Sequence, residues 1–319
     1  MKEFIINRND ADQRLDKFLF KAVKLLPKNL MYKYIRLKRI KVNGKRTEIS
    51  YRLLEGDKVS LYINDEFFDT DKPTFLLATP KIDVVYEDEN ILLVDKGQGL
   101  IVHEDEGEDV DTLINRVQHY LYLKGEYQYD KELSFAPALC NRIDRNTGGI
   151  VIVAKNATTL RTLNEKIKLR EIRKFYLCLV KGTLKEKEAT LTHYHRKNEK
   201  ENIAEVFDKP RIDTKTMVTK YKVLEENKNY SLLEVELKTG RFHQIRAQMA
   251  HIGCPLVGDG KYSSNAKEKK VGFTHQALYS YKLTFDFKEE CPLSYLNGKT
   301  FKVLRVWFAE NGIPKVLTE

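Results

Sequence analysis

The chain has 319 residues, of which 42% are hydrophobic and 32% are charged, a composition typical of a soluble globular protein. Its formal net charge of +10 favours a polyanionic partner, nucleic acid before an anionic membrane. The sequence shows no long apolar run, no signal peptide pattern and no CxxC pair, so we expect a cytoplasmic protein without a membrane span, disulfide framework or cysteine zinc site.

The first sixty or so residues follow the pattern of two helices and a hairpin. Apolar residues recur at helical spacing over residues 14–26 and again over residues 28–38. Ile40 to Val42 alternates as a short strand, Asn43-Gly44 is typical of a type I′ turn, and residues 57–63 alternate again. The sequence therefore predicts a small helix–helix–hairpin domain.

The charge of this module is concentrated in one stretch. Residues 28–46 contain eight basic residues and no Asp or Glu. A solvated surface is the ordinary explanation, but a run of one sign on a compact module favours RNA or DNA phosphates held without sequence readout. The residues that we expect to contact nucleic acid here are Lys33, Arg36, Lys38, Arg39, Lys41, Lys45 and Arg46.

Residues 64–80 carry acidic side chains, two prolines and little periodicity, which indicates a linker. Beyond it, strands joined by short turns outnumber strand–helix–strand repeats, which favours an α+β fold with a mixed, mainly antiparallel sheet, flanking helices and a central cleft. The predicted strands span residues 82–86, 91–94, 150–155, 175–180, 214–224 and 230–237, and the predicted helices span residues 109–123, 157–170 and 241–252.

The loop from Asp95 to Leu100 is rich in turn formers. Within it, Lys96 is a candidate phosphate contact, and a solvated lysine is the ordinary alternative. The chain has no Walker or dinucleotide-type glycine loop, so neither ATP nor NAD is indicated.

The stretch from Asn141 to Gly149 places one carboxylate, Asp144, between Arg142 and Arg145 and leads into an apolar strand. A nearby cation favours the charged form of a carboxylate, so we expect Asp144 to be ionised. That suits a nucleophile or an electrostatic stabiliser better than a general acid. A structural turn residue is the alternative.

A second cluster of donors begins the helix predicted at Arg241. It contains Arg241, His243, Gln244 and Arg246, and helix N-termini attract anions. The cluster could hold a phosphate, a carboxylate or both. An ordinary polar helix start is the alternative.

The histidines lack the companions that a metal site needs. His243 and His251 lie eight residues apart with no cysteine or acid to complete a set, and His193 and His195 alternate on a strand without a nearby acidic partner. No nucleophile elbow supports a Ser–His–Asp or Cys–His site. The sequence therefore predicts neither a metal nor a cofactor.

The N-terminal module resembles a known RNA-binding domain. Arg14 to Leu19, Tyr34 to Arg36 and Arg39 to Gly44 are similar to the alpha-L domain of ribosomal protein S-four and of several RNA-modifying enzymes. The resemblance covers roughly residues 13–63. It implies binding of structured RNA through the two helices.

Four later segments resemble RluA-type RNA pseudouridine synthases, in the family's order. Residues 141–149 resemble their H-R-L-D-x-x-T-S-G signature, with Gly148 in place of serine. Residues 173–182 resemble their K-x-Y-x-A-x-V-x-G strand. Residues 240–246 and 251–259 resemble G-R-T-H-Q-I-R and H-I-G-x-P-I-x-G-D.

This resemblance implies a reaction and its residues. Asp144 would be the catalytic carboxylate, Tyr176 would pack against the target uracil, and Arg246 would pair with Asp144. Arg142 would enter the RNA stack where the uridine left it, and Arg145 would hold backbone phosphate or the loop itself. The reaction would isomerise a uridine already in RNA, without cofactor or metal.

We therefore predict an alpha-L RNA-binding domain over residues 1–66, a linker over 67–80 and a pseudouridine synthase domain over 81–319. The expected substrate is structured RNA, by analogy the ribosomal RNA of the large subunit, and the expected state is a monomer. The alternatives are a synthase acting on tRNA, a non-catalytic RNA-binding or ribosome-assembly factor, and a hydrolase, which would need a second positioned carboxylate.

Overall fold

The structure, a computed structural model, describes residues 1–68, 72–104, 110–310 and 312–317. It divides into two compact units. The first unit consists of Met1–Lys81, His103–Ala138 and Ala154–Arg161. The second consists of Ile82–Val102, Leu139–Val153 and Thr162–Glu319.

The described residues form fourteen strands and six α-helices. The strands are β1 (Lys2–Ile5), β2 (Ile40–Val42), β3 (Lys58–Leu61), β4 (Asp83–Glu87), β5 (Ile91–Lys96), β6 (Ala138–Leu139), β7 (Gly148–Ala154), β8 (Ile172–Lys181), β9 (Glu188–Asn198), β10 (Ile203–Phe207), β11 (Lys215–Glu226), β12 (Tyr230–Leu237), β13 (Leu278–Phe285) and β14 (Thr300–Lys302). The helices are α1 (Leu15–Ala22), α2 (Lys28–Arg36), α3 (Leu113–Leu123), α4 (Ala157–Lys168), α5 (Gln244–His251) and α6 (Ala266–Lys270). None of these helices is long and apolar enough to cross a membrane.

The first unit contains a three-stranded antiparallel sheet in the order β1–β3–β2, beside α1 and α2. The apolar residues at helical spacing, among them Phe18, Leu19 and Ile35, are buried in its core. Asn43 and Gly44 both adopt positive φ, at 50° and 73°, which confirms the type I′ turn. The sequence did not predict β1, because in that strand only Phe4 is buried.

Part of the predicted linker is folded. Thr74–Leu77 form a 3₁₀ turn, and the buried ring of Phe75 contacts Tyr127 and Tyr129 at centroid distances of 5.6 and 5.8 Å. Residues 74–77, inside the predicted linker, are therefore folded and anchored by Phe75, and the linker over residues 67–80 stays a prediction. Residues 69–71 lie outside the described residues.

The helix predicted from Asp109 begins later. α3 starts after Thr112, whose hydroxyl accepts a hydrogen bond from the Asn115 amide at 3.3 Å, as an N-cap residue does. Asp109 itself lies outside the described residues.

The second unit is built on a large sheet in the order β10–β9–β11–β12–β8–β13–β7–β5–β4, with β14 beside β13 and β6 beside β7. The long pairs β9–β11, β11–β12, β8–β12 and β8–β13 are antiparallel, whereas β7 and β13 run parallel. This mixed, mainly antiparallel sheet confirms the predicted α+β class. Every residue of β7 is buried, as the apolar run after Gly149 predicts.

The start of β7 is packed too closely to accept side chains. A Cβ on Gly148 would lie 2.3 Å from the Tyr279 ring, and one on Gly149 would lie 2.2 Å from the Ser280 carbonyl oxygen. Gly149 also has φ of +114°, which L side chains rarely adopt. The two glycines therefore allow β7 to lie directly against β13, and they fix the end of the loop that carries Asp144.

Candidate active site

Asp144 lies in the tight loop between β6 and β7. Its carbonyl accepts a hydrogen bond from the Thr147 amide at 3.0 Å, which closes the turn, and its side chain is 29% exposed. The Arg145 carbonyl accepts a hydrogen bond from the Gly99 amide at 2.9 Å. The loop is therefore bonded both to itself and to the segment that follows β5.

Arg246 joins Asp144 to a second carboxylate. Its Nη1 donates to Oδ2 of Asp144 at 2.8 Å, while Nε and Nη2 donate to both oxygens of Asp259 at 2.7 and 2.9 Å. Asp259 is fully buried and the Arg246 side chain is 7% exposed. Arg246 therefore pairs with Asp144, as predicted, and its guanidinium lies between two carboxylates of the chain itself.

The electrostatics of the Arg246–Asp259 pair favour the charged forms of both groups. Burial lowers the pKa of Arg246, but the hydrogen bonds and charge of Asp259, together with Asp144, outweigh that effect and raise it. Burial raises the pKa of Asp259, and the bonds to Arg246 outweigh it in turn, so that the pKa is lowered. Arg246 is thus a permanent cation at a fixed distance from the Asp144 carboxylate.

The helix predicted from Arg241 begins at Gln244 instead. His243 has φ of 49° and ψ of 27°, a left-handed conformation that interrupts any earlier helical turn. The conformation turns the His243 ring inward, where Nε2 lies 3.7 Å from Oδ2 of Asp144 and Nδ1 lies 2.9 Å from the Tyr262 hydroxyl. Burial, together with the charge of Arg246, lowers the pKa of His243 to about 4. The ring beside Asp144 is therefore neutral at pH 7.

Tyr176 lies in β8, where it is 5% exposed and pairs with Ser280 of β13. Burial raises its pKa to about 12, and the charge of Asp144 acts in the same direction. The Tyr176 hydroxyl is therefore protonated at neutral pH, and its aromatic ring belongs to the same site as the carboxylate.

Lys96 does not present its ammonium to solvent. The side chain is buried, and Nζ donates to the carbonyls of Gly97, Leu100 and Arg145 at 2.8 to 2.9 Å. Burial lowers its pKa to about 7 against the opposing charge of Asp144. The expectation of a phosphate contact at Lys96 is wrong, because this side chain holds two loops together from the inside.

Gln244 is also internal. Its Oε1 accepts from the Thr239 hydroxyl and the Arg241 amide, and its Nε2 donates to the Val218 carbonyl and the Thr219 hydroxyl, all within 3.0 Å. With each of these bonds satisfied inside the fold, Gln244 cannot serve as the RNA contact that the sequence predicts.

The other three arginines predicted to contact RNA differ in exposure and in their hydrogen bonds within the protein. Arg142 is exposed beside Asp144. Arg145 is exposed too, although its Nε donates to the Gly99 carbonyl at 3.0 Å. Arg241 is half-buried and donates from Nε to the Thr216 carbonyl at 3.1 Å. Of the three, Arg142 is the arginine best placed to reach a bound molecule.

The basic residues of the first unit lie at its surface. Six of the seven are exposed, and Lys41 is half-buried. Lys41 and Arg39 also approach aromatic rings, those of Tyr62 and Tyr34, at 5.3 and 5.4 Å. The exposed positions are Lys33, Arg36, Lys38, Arg39, Lys45 and Arg46.

Two histidines have an acidic partner that the sequence did not reveal. His251 Nε2 lies 2.7 Å from Oδ1 of Asp208, and His193 Nε2 lies 3.8 Å from the same oxygen. The expectation that these histidines lack such a partner is wrong, because the partner comes from a distant segment. His195 is buried, and neither ring nitrogen has a hydrogen-bond partner among the described residues.

Sequence reasoning missed Asp259 and Tyr262 as members of the site. Asp259 does lie in the segment that resembles H-I-G-x-P-I-x-G-D, so a signal for it was present. Tyr262, whose burial raises its pKa to about 12, had no such signal. Its hydroxyl accepts from the Ala204 amide at 2.7 Å and meets the His243 ring.

The geometry limits the chemistry. Asp144 is a half-exposed carboxylate paired with a fixed arginine, beside a protonated tyrosine and a neutral histidine. Asp259 cannot act as the second carboxylate of a glycosidase, because it is fully buried and bonded through both oxygens to Arg246. The site therefore suits attack or proton removal by one carboxylate.

Comparison with known proteins supports an RNA-directed enzyme. The family model described as RNA pseudouridylate synthase matches residues 90–251, and the S4 domain model matches residues 13–59. The chain is 32% identical over 299 residues to an uncharacterised RNA pseudouridine synthase of Mycoplasma genitalium, covering 89% of this chain and 88% of that protein. It is 29% identical to ribosomal large subunit pseudouridine synthase C of Buchnera aphidicola, covering 85% and 83% of the two chains.

A solved structure has a similar fold. Human RNA pseudouridylate synthase domain containing 4 superposes with a TM-score of 0.55 at 18% identity, over 71% of this chain and 89% of that one. With the match to half of its length and a relative above 30% identity, the chain belongs to the RNA pseudouridylate synthase family and carries an S4 domain ahead of its catalytic fold.

Proposed function

We propose that the chain isomerises uridine to pseudouridine in ribosomal RNA of the large subunit, with Asp144 as the catalytic carboxylate. The hydrogen bond from Arg246 to Asp144 is the observation that carries the assignment of the residue. The substrate rests on the name of the Buchnera aphidicola relative, a ribosomal large subunit enzyme.

The reaction exchanges one bond for another at the same ribose carbon. The bond from C1′ to ring N1 breaks, the base turns, C5 bonds to C1′, C5 loses its proton and N1 gains one. A carboxylate can attack C1′ or remove a proton from the ribose, and both routes need Asp144 ionised. Arg246 holds Oδ2 of Asp144 in place through its hydrogen bond of 2.8 Å. Tyr176 offers an aromatic face for the uracil.

The target nucleotide must leave the RNA stack before Asp144 can reach it. Flipping costs a few kcal/mol in unstacking and unpairing. The exposed Arg142 fills the gap that the base leaves, and its planar guanidinium offsets part of the cost by stacking and charge. Arg145 and Arg241 supply further cations for the RNA backbone.

The N-terminal S4 domain, which we propose to span residues 1–66, supplies phosphate contacts through its basic residues. Such contacts position the RNA and carry no sequence information. The catalytic domain would then occupy residues 81–319, and the protein would work as a cytoplasmic monomer.

The variant Asp144→Asn tests the proposal directly. It replaces the carboxylate by an amide of the same shape, so pseudouridine formation should be lost while RNA affinity stays near that of the wild type. Pseudouridine is measured in ribosomal RNA transcripts by chemical mapping, and affinity by filter binding. An active Asp144→Asn protein would remove Asp144 from the mechanism.

The substrate needs its own experiment. Mapping of total RNA from cells with and without the gene should show a uridine in large-subunit ribosomal RNA that is modified only when the gene is present. A gene-dependent site in tRNA alone would replace the ribosomal assignment. No gene-dependent site would favour a non-catalytic ribosome-assembly factor.

A further inference from the structure

Three side chains that serve no role in the proposed reaction meet at one edge of the second unit. His193 lies on β9, Asp208 directly follows β10, and His251 is the last residue of α5. One ligand atom from each, two imidazole nitrogens and one carboxylate oxygen, lies within 4.8 Å of the other two.

The fold brings these distant residues together. β9 and β10 form an antiparallel hairpin in which Phe207 pairs with Tyr194, so the next residue, Asp208, falls opposite His193. α5 packs against β10 and ends at His251. The His193 and His251 rings meet edge to face, with centroids 4.9 Å apart.

The spacing matches what a tetrahedral metal requires. Metal–ligand bonds of about 2.0 Å at tetrahedral angles put ligand atoms about 3.3 Å apart. The distances from Oδ1 of Asp208 to the two Nε2 atoms, 2.7 Å for His251 and 3.8 Å for His193, lie on either side of that value. Small rotations of exposed or half-buried side chains are enough to reach it.

The ligand types select the metal. Imidazole suits Zn²⁺ and neighbouring first-row cations, whereas Mg²⁺ and Ca²⁺ prefer oxygen ligands. Two histidines and one carboxylate leave a fourth position for water. The exposed side of the cluster, where Asp208 is 76% exposed, gives the ion and that water access.

Gln248, one turn before His251, is hydrogen-bonded to Nδ1 of His193, the ring nitrogen that does not face Asp208. Its Nε2 donates to Nδ1 of His193 at 2.9 Å and to the Leu191 carbonyl at 3.3 Å, while its buried Oε1 has no hydrogen-bond partner among the described residues. Half a turn of the amide gives up the long bond to Leu191 and lets Oε1 accept from Nδ1–H. The Nε2 lone pair of His193 is then free for a metal.

We propose that His193, Asp208 and His251 form a binding site for Zn²⁺ or a similar first-row divalent cation. The ion ties the β9–β10 hairpin to the C-terminal end of α5, the helix that carries Arg246. It is structural: it takes no part in the isomerisation, and it stabilises the folded chain by binding it in preference to the unfolded one.

The test uses the untagged full-length chain, freed of metal by chelation, with ZnSO₄ and CoCl₂ as probes. Competition with a chelating dye should give a one-to-one complex, and Co²⁺ should show the strong visible absorption of a tetrahedral site. Zn²⁺ should also raise the melting temperature of the apo protein. The variants Asp208→Asn and His251→Gln each remove a metal ligand. Loss of a hydrogen bond to a ligand already costs roughly tenfold in metal affinity, so each variant should bind Zn²⁺ at least that much more weakly than the wild type.

Asp213→Asn is the matched control. It is the same substitution as Asp208→Asn and lies in the same segment between β10 and β11. Asparagine tolerates the φ of 63° that Asp213 adopts. This variant should bind Zn²⁺ as the wild type does. The melting curves of the apo variants show whether they fold. Absence of one-to-one binding by the wild type, or equal binding by Asp208→Asn and Asp213→Asn, would overturn the site.

Discussion

The guanidinium of Arg246 donates to Oδ2 of Asp144 at 2.8 Å across 102 positions of the chain. The other edge of the same guanidinium donates two hydrogen bonds to Asp259. One residue thus both orients the Asp144 carboxylate, which we propose to be catalytic, and pairs with the buried charge of Asp259. Its replacement should therefore change stability as well as activity.

Arg246→Lys should lower the free energy of unfolding by about 3 kcal/mol, because one ammonium cannot serve both carboxylates and Asp259 is left buried without its partner. Pseudouridine formation should fall with it. Urea unfolding and a turnover assay check the two effects. Arg241→Lys is the control, since it breaks a single bond to a carbonyl and should cost about 1 kcal/mol. Equal losses in the two variants would contradict the dual role of Arg246.

Lys96→Met should loosen the Asp144 loop. The change removes the donor shared by the carbonyls of Gly97, Leu100 and Arg145. The Arg145 carbonyl keeps the Gly99 amide as a donor, whereas an acceptor left unpaired away from water costs about 1–3 kcal/mol. We expect a clear drop in melting temperature and a lower turnover number at saturating RNA, with RNA affinity unchanged. Weakened RNA binding with normal turnover would instead restore the phosphate contact that the sequence predicted.

His243 should make the folded state sensitive to acid. Burial lowers its pKa to about 4, below the 6.5 of a free histidine, so the unfolded chain binds more protons between these values. Stability should therefore be fully present above pH 6.5 and fall as the pH drops toward 4, with a slope of up to about 1.4 kcal/mol per pH unit from this residue.

His243→Asn isolates that contribution, because asparagine accepts the left-handed conformation of this position. Burial also lowers the pKa values of His193 and His195, so the wild-type slope includes theirs. The comparison to make is the difference between variant and wild type in urea titrations across this pH range. Parallel curves would show that His243 does not titrate in this way.

The basic surface of the S4 domain should control the salt dependence of RNA binding. Lys33→Gln with Arg36→Gln should reduce the slope of log K against log salt by about 1.5, since each phosphate contact contributes about 0.7 to 0.9. Lys185→Gln with Lys228→Gln, also exposed, is the charge-matched control. If both pairs reduce the slope equally, the effect is one of net charge and not of this surface.

The sequence predicted the elements whose signal is local. The strand predicted over residues 230–237, after the polar turn at residues 227–229, has the same bounds as β12, and Asn43-Gly44 predicted the turn. The start of α5 was missed because the left-handed His243 ends the loop where periodicity alone would continue the helix. β10 was missed too: within it only Ala204 is buried, so it carries no apolar alternation.

The site was predictable where a motif carried it and not where tertiary contacts did. Asp144 and its partner Arg246 follow from the segments that resemble the family. No feature of the sequence around Lys96 indicates that its side chain is buried, because its three acceptors come together only when two loops pack against each other. The same holds for His193 and Asp208, which pair only once the hairpin register is known.

The close contact of Gly148 with Tyr279 has an evolutionary consequence. The family signature has serine at position 148. The Cβ of that serine would lie 2.3 Å from the Tyr279 ring, so the ring would have to move. A smaller residue at 279 would leave room for the serine, but it would also remove the hydroxyl that donates to Asp95 at 2.8 Å. A substitution at only one of the two positions would therefore leave the protein poorly packed. Among relatives, these two positions should therefore vary as a pair, and a tyrosine at the second should accompany glycine at the first.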